Sequence, residues 1–283
     1  MLVKVLSDNV NEQLSRSRDQ LRSASTNRAG WQEEHIRSRG ELNAARRSKP
    51  LWRQVLSVPS ASEKLAAARA DFSAREVARA SRDVQDADRQ VRQHGAGAHG
   101  EDLFALNLSA LRDEWVMLRG YCNRRGETDC VLVGPTGVWA VEVKRRRVLL
   151  HAVGDRWFLQ KLSARGNSFE LEPAADRTGR SWPQQVGEIA QDLETWLRKQ
   201  GHDVPVRTAV MVVHEQARVV ECVGPGVDFV GTNPRQFMEY MTCGIDVPLL
   251  AADRCAAIVD LVVRDHKFHA GRRRSNKNRP RPR

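Results

Sequence analysis

The 283-residue sequence predicts an α/β protein, a mixed sheet flanked by helices, with a helical hairpin before it and a disordered basic tail after it. Three observations predict it. Residues 1–94 hold only two prolines, Pro50 and Pro59, among many Ala, Arg, Gln and Glu, all good helix formers. Beyond residue 100, apolar runs of strand length mix with amphipathic helical stretches. From Lys267 to the end there are eight Lys or Arg and no acid.

The elements follow in order. Leu14 and Leu21 are seven apart, as are Leu65 and Phe72, and Val77, Val84 and Val91 repeat at seven with a break in phase after Phe72. That is weak heptad patterning. It predicts a coiled-coil-like hairpin over 1–94, with one arm before Pro50, a turn near KPLWRQVLSVPS and a second arm capped by Ser62. Trp31 and Trp52 are expected to pack these arms.

The glycine-rich run HGAGAHG, 94–100, reads as a break and the domain boundary. The core domain is then 95–265 and the tail 266–283. Within the core, Leu103, Leu106, Leu108 and Leu111 predict a helix. Strands are expected at 115–121, 129–133, 138–144 and 147–153, followed by an irregular polar insertion to about Ser181. A helix runs from Trp182 to Lys199 with Pro183 in its first turn. A buried strand at 206–214 and two shorter ones come next, then helices from Asn233 and over Ala251–Val263.

The formal net charge is +11, which favours polyanionic partners as readily as it favours solubility alone. Five scattered cysteines without a CxxC or Cys/His cluster exclude an obvious zinc site and suit a reducing cytoplasm. Cys130 reads as a plain core thiol. No apolar stretch has the length of a membrane span or the form of a signal peptide.

The chemistry concentrates in TDCVLVGPTGVWAVEVKRRR, 128–147. If Val133 pairs with Val138 across the turn, antiparallel partners place Asp129 opposite Glu142, and Lys144 continues that face. Opposed carboxylates destabilise a sheet unless something compensates. A divalent cation with oxygen ligands, Mg²⁺ or Mn²⁺, would do so, with the Val143 carbonyl as a further ligand. Such an ion activates water and polarises a phosphoryl oxygen, and Lys144 would stabilise the developing charge. Arg145, Arg146 and Arg147 are either a solvated strand end or phosphate contacts. In the tail, Arg272, Arg273 and Arg274 would add non-specific phosphate contacts. His151 and His214 read as ordinary histidines, and Trp139 and Trp157 as core.

Gly100-Glu101, LSALRDEWVMLRGY, the 128–144 hairpin and WPQQ at 182–185 together resemble the NERD family, the nuclease-related domain. The resemblance covers about Gly97 to Val213. It implies a restriction-endonuclease-like fold of the PD-(D/E)XK type. It gives Asp129, Glu142 and Lys144 the catalytic positions and Glu101 an early acidic, metal-holding position. Glu101 could equally be a first-turn helix acid. The family's helical Gln falls on Gln185 or Gln184, of which Gln185 is the better match. Where the family often has an Asn-Trp-like pair after ExK, this chain has RRRVLL.

The expected function is a metal-dependent nuclease acting on nucleic acid, on DNA more than RNA, with a possible homodimer through the N-terminal helices and no membrane partner. The alternative is a catalytically silent nucleic-acid-binding or scaffold module.

Overall fold

The structure is a computed structural model that describes residues 1–48, 50, 58–163, 165–176, 178–243 and 247–277. Contacts divide the chain into two compact units: Val10–Gly95, and Met1–Asn9 together with Ala96–Arg283.

The hairpin unit consists of α1 (Asn9–Arg47) and the greater part of α2 (Ala61–Leu108). Residues 49 and 51–57, where the turn and Trp52 were expected, lie outside the described residues. The seam follows the heptad, but small residues fill it. Ala66, Ala70, Ser73, Val77, Ala80, Val84 and Ala87 follow at alternating steps of four and three, all buried or half-buried. Leu65 and Phe72, expected in this seam, point outward at 58% and 57% exposure. The valines hold the phase; the two larger residues stand one position before it. Ser60, not Ser62, caps α2, its hydroxyl accepting from the Glu63 amide at 3.1 Å.

The run HGAGAHG does not break the helix, although the division between the two units falls inside it, between Gly95 and Ala96. α2 passes through it to Leu108, and only its last part belongs to the second unit. Glycine lowers helix propensity without forbidding helix. Phe104 and Leu108, four apart, supply the buried face here, while Leu106 is 69% exposed.

The second unit is α/β. A six-stranded mixed sheet has the order β1-β2-β3-β4-β8-β10. Its members are β1 (Leu2–Val5), β2 (Val116–Cys122), β3 (Glu127–Gly134), β4 (Gly137–Lys144), β8 (Val206–Val212) and β10 (Phe229–Gly231). β2, β3 and β4 form an antiparallel meander; β1, β8 and β10 join in parallel. Strand β1 was read as helix in the sequence, because four residues offer too little pattern beside a long helical arm.

The stretch expected as an irregular insertion instead holds two strands, β6 (Arg156–Leu162) and β7 (Ser168–Pro173), which join the two strands expected at 147–153 and after Arg218. With β5 (Val148–Val153) and β9 (Arg218–Val223) they form a second sheet in the order β7-β6-β5-β9. Trp157 and Leu159 point inward between exposed Arg156 and Phe158, so only alternate residues carry the apolar signal.

One core lies between the six-stranded sheet, the inner face of the second sheet, α3 (Trp182–Lys199) and α5 (Ala252–Lys277). The other lies between the opposite sheet face, the end of α2 and α4 (Pro234–Cys243). Trp139, Trp157 and Cys130 are core residues as expected.

The tail begins later than its composition suggested, since α5 runs to Lys277. Polar residues extend its buried face. Asp265 accepts from the Tyr121 hydroxyl at 2.5 Å, and His266 Nδ1 accepts from the Cys122 amide at 3.1 Å. Residues 278–283 lie outside the described residues.

Candidate active site

The β3–β4 hairpin has the register its turn predicts: Val133 pairs with Val138, Leu132 with Trp139, and Cys130 with Val141. The glycine turn is held closed from both sides. A Cβ on Gly134 would fall 2.3 Å from the Trp115 ring, so only glycine fits. Thr136 donates to the Met241 carbonyl at 2.6 Å, and the Leu250 amide donates to Pro135 O at 2.7 Å.

Beyond Cys130 and Val141 side chains take over the pairing. Asp129 Oδ2 accepts from the Val143 amide at 2.5 Å. Thr128, fully buried, donates to Val141 O at 2.8 Å and approaches Glu142 Oε2 at 3.5 Å. Asp129 is half-buried and Glu142 only 6% exposed. The Lys144 ammonium bonds Glu142 Oε1. Asp129, Glu142 and Lys144 are thus drawn together at the end of the hairpin, while the Val143 side chain packs in the opposite core.

The electrostatics express crowding of negative charge. Burial, then the Glu142 charge, push the Asp129 carboxyl well above the usual range; Lys144 and the Val143 amide pull it down without prevailing. Burial disfavours the Lys144 ammonium, but Glu142 and Asp129 outweigh it and hold its pKa above the ordinary lysine value.

Glu101, on α2, joins this field. Burial raises its carboxyl from 4.5 to about 7, with Arg119 opposing and Glu142 adding to the rise. Arg119 on β2 lies 3.5 Å from Glu101 and 2.9 Å from Asp102.

The arginines after β4 differ from one another. Arg145 lies against α2: a Cβ on Gly100 would meet the Arg145 Cβ at 2.8 Å, so this glycine lets loop and helix touch. Arg145 Nε is buried without a hydrogen-bond partner. Arg146 is exposed, with its guanidinium 5.8 Å from the centre of the Trp182 ring, and Lys144 Nζ lies 6.0 Å from the same centre. Burial and the charges of Arg145 and Arg147 lower the His214 pKa, so its imidazole is neutral at neutral pH.

Ser181 and Gln184 form a capping box at the start of α3, which gives Gln184 a structural task. Gln185 is half-buried, and its side-chain amide donates to Arg180 O at 2.9 Å. The contact of Arg272 is with Phe268, at 5.2 Å from the ring centre. The side chains of Arg273 and Arg274 lie outside the described residues.

Residues 96–213 match the family model NERD, the nuclease-related domain. No curated protein and no solved structure matches the chain. The NERD segment contains the whole hairpin, Glu101, Arg119 and α3, and it ends at Val213. It leaves out the hairpin unit, α4 and α5.

The β3–β4 hairpin offers two desolvated carboxylates of hard oxygen character, Asp129 and Glu142. Among the described residues no three His, Cys, Asp or Glu side chains converge as a ready-formed cage. Mg²⁺ commonly takes one or two carboxylates and completes its shell with water and substrate phosphate. Sequence reading missed Thr128, Arg119 and Trp182. Only Trp182 carried a signal, as the aromatic residue heading WPQQ; the others act through contacts that no spacing reveals.

Among the described residues no helix is long and apolar enough to cross a membrane.

Proposed function

We propose that the NERD segment is a metal-dependent nuclease that hydrolyses phosphodiester bonds, in DNA rather than RNA. The observation that carries this reading is the convergence of Asp129, Glu142 and Lys144 at the end of a buried hairpin, where the Glu142 charge also acts on Glu101.

Asp129 and Glu142 would hold Mg²⁺ or Mn²⁺, with Glu101 supplying further negative charge and the Val143 carbonyl a further oxygen. The bound ion would polarise a phosphoryl oxygen and lower the pKa of a water. Lys144, kept protonated by its carboxylate neighbours, stabilises the negative charge that grows on the phosphate. Arg145, Arg146 and Arg147 form a cationic edge after β4 that suits phosphate oxygens. Gln185 orients substrate or water from α3. Arg272, Arg273 and Arg274 add non-specific backbone attraction. Five free thiols agree with a cytoplasmic location.

The test is cleavage of supercoiled plasmid, linear duplex and single strands with Mg²⁺ or Mn²⁺, with Glu142→Ala and EDTA as controls. Cleavage by the natural chain that both controls abolish supports the reading. DNA binding without cleavage, equal in Glu142→Ala, overturns it and leaves a nucleic-acid-binding module.

A further inference from the structure

The two peptide groups that flank Glu142 are gripped by side chains of β3. The Val141 carbonyl, in the plane before Glu142, accepts from the Thr128 hydroxyl at 2.8 Å. The Val143 amide, in the plane after it, donates to Asp129 Oδ2 at 2.5 Å. Peptide groups are planar and rigid, so two anchored planes leave the Glu142 Cα little freedom. Main-chain pairing of β3 with β4 has ended by this point, at Cys130 and Val141. Strand β3 nevertheless continues along β2, with Thr128 opposite Tyr121. The grip is therefore mounted on the sheet rather than on a loose strand end.

Thr128 also meets the Glu142 side chain. It is fully buried, and its hydroxyl oxygen lies 3.5 Å from Glu142 Oε2. The other carboxylate oxygen, Oε1, is bonded by the Lys144 ammonium. Threonine is stiff at its first side-chain torsion, so the hydroxyl keeps its aim. An uncharged group suits this position, because a further ionised one would add to the repulsion that already acts between Asp129 and Glu142.

We propose that Thr128 is a positioning residue, which aims the Glu142 carboxylate by anchoring the peptide group before it. Thr128 touches neither ion nor substrate and acts through Glu142. Asp129 grips the following peptide and supplies charge as well; Thr128 supplies the grip alone. This role rests on the hairpin holding a divalent ion.

Calorimetric titration of the full chain with Mn²⁺ tests it, with Thr128→Val, Thr128→Ser and Glu142→Ala beside the natural protein. Valine keeps the shape of threonine without the hydroxyl. Thr128→Val should bind Mn²⁺ roughly ten- to a hundredfold more weakly, the range for a group that orients a metal ligand. Thr128→Ser should recover most of that loss. Thermal melts of the metal-free chains separate this role from a structural one. A lost buried hydrogen bond alone would lower the melting temperature and leave Mn²⁺ affinity unchanged. That result overturns the proposal, and so does a serine chain that binds no better than the valine chain. Should Thr128→Val fail to fold, Thr128→Cys, a weak donor of similar size, takes its place and should bind more weakly than Thr128→Ser. Mn²⁺ binding that Glu142→Ala leaves intact overturns the metal-site reading and this role with it. Weak binding by Glu142→Ala with full binding by Thr128→Val overturns this role alone.

Discussion

Asp129 Oδ2 accepts the Val143 amide hydrogen at 2.5 Å, where β3 and β4 stop pairing through their main chains. One carboxylate thereby ends the ladder and stays beside Glu142, at the cost of crowding like charges.

That crowding predicts a trade of activity against stability. Asp129→Asn keeps an acceptor for the Val143 amide and removes the charge. Because burial and Glu142 raise the Asp129 pKa, the folded state loses stability as pH rises from the ordinary carboxylate range toward that pKa. Asparagine should therefore stabilise the protein at neutral pH by roughly 0.5–2 kcal/mol. Metal-dependent cleavage should fall by on the order of 10²–10³. Thermal melts and plasmid assays on one preparation check both directions.

Glu101 predicts a pH dependence. Its carboxyl is raised to about 7, so between the ordinary carboxylate range and that value the folded chain keeps a proton that the unfolded chain releases. Stability of the metal-free protein should fall as pH rises through this window. Cation affinity should rise across it, because binding requires the ionised carboxylate. Calorimetric titration with Mn²⁺ on either side of neutrality reads the second effect, and Glu101→Gln should flatten both.

Arg145→Ala should weaken DNA binding about equally across sequences and lower the salt slope by about one, since a lost phosphate contact carries no base information. Fluorescence anisotropy over a salt series measures it. Because Arg145 Nε is buried and unpartnered in the free protein, the fold should tolerate the change.

Gly134→Ala should destabilise by about 1–3 kcal/mol, because the new Cβ would fall within the Trp115 ring's van der Waals envelope and force the turn to shift. Urea denaturation followed by tryptophan fluorescence gives the value.

Much of this protein was legible as pattern. The apolar runs located β3, β4 and β8, and the glycine turn fixed the register that brings Asp129 beside Glu142. Trp182–Lys199 was readable from its proline and its periodicity. Where the pattern was thin, reading failed. β6 signals burial through Trp157 and Leu159 alone, and β7 is wholly exposed, so these two strands of the second sheet passed for an insertion. α5 continues past Arg264 because Asp265 and His266 are buried by partners on β2, which no hydropathy pattern announces.

The sequence alone determined the α/β class of the core, the helical first arm and the hairpin that carries the acids, because all three follow from short-range periodicity and turn chemistry. Tertiary structure decided what depends on residues far apart in the chain. It set Arg119 against Glu101, laid Lys144 and Arg146 beside Trp182, and raised the carboxyl pKa values by burial. It also turned Phe72 outward and alanine inward, since which stripe of a helix becomes its seam depends on the helix it meets.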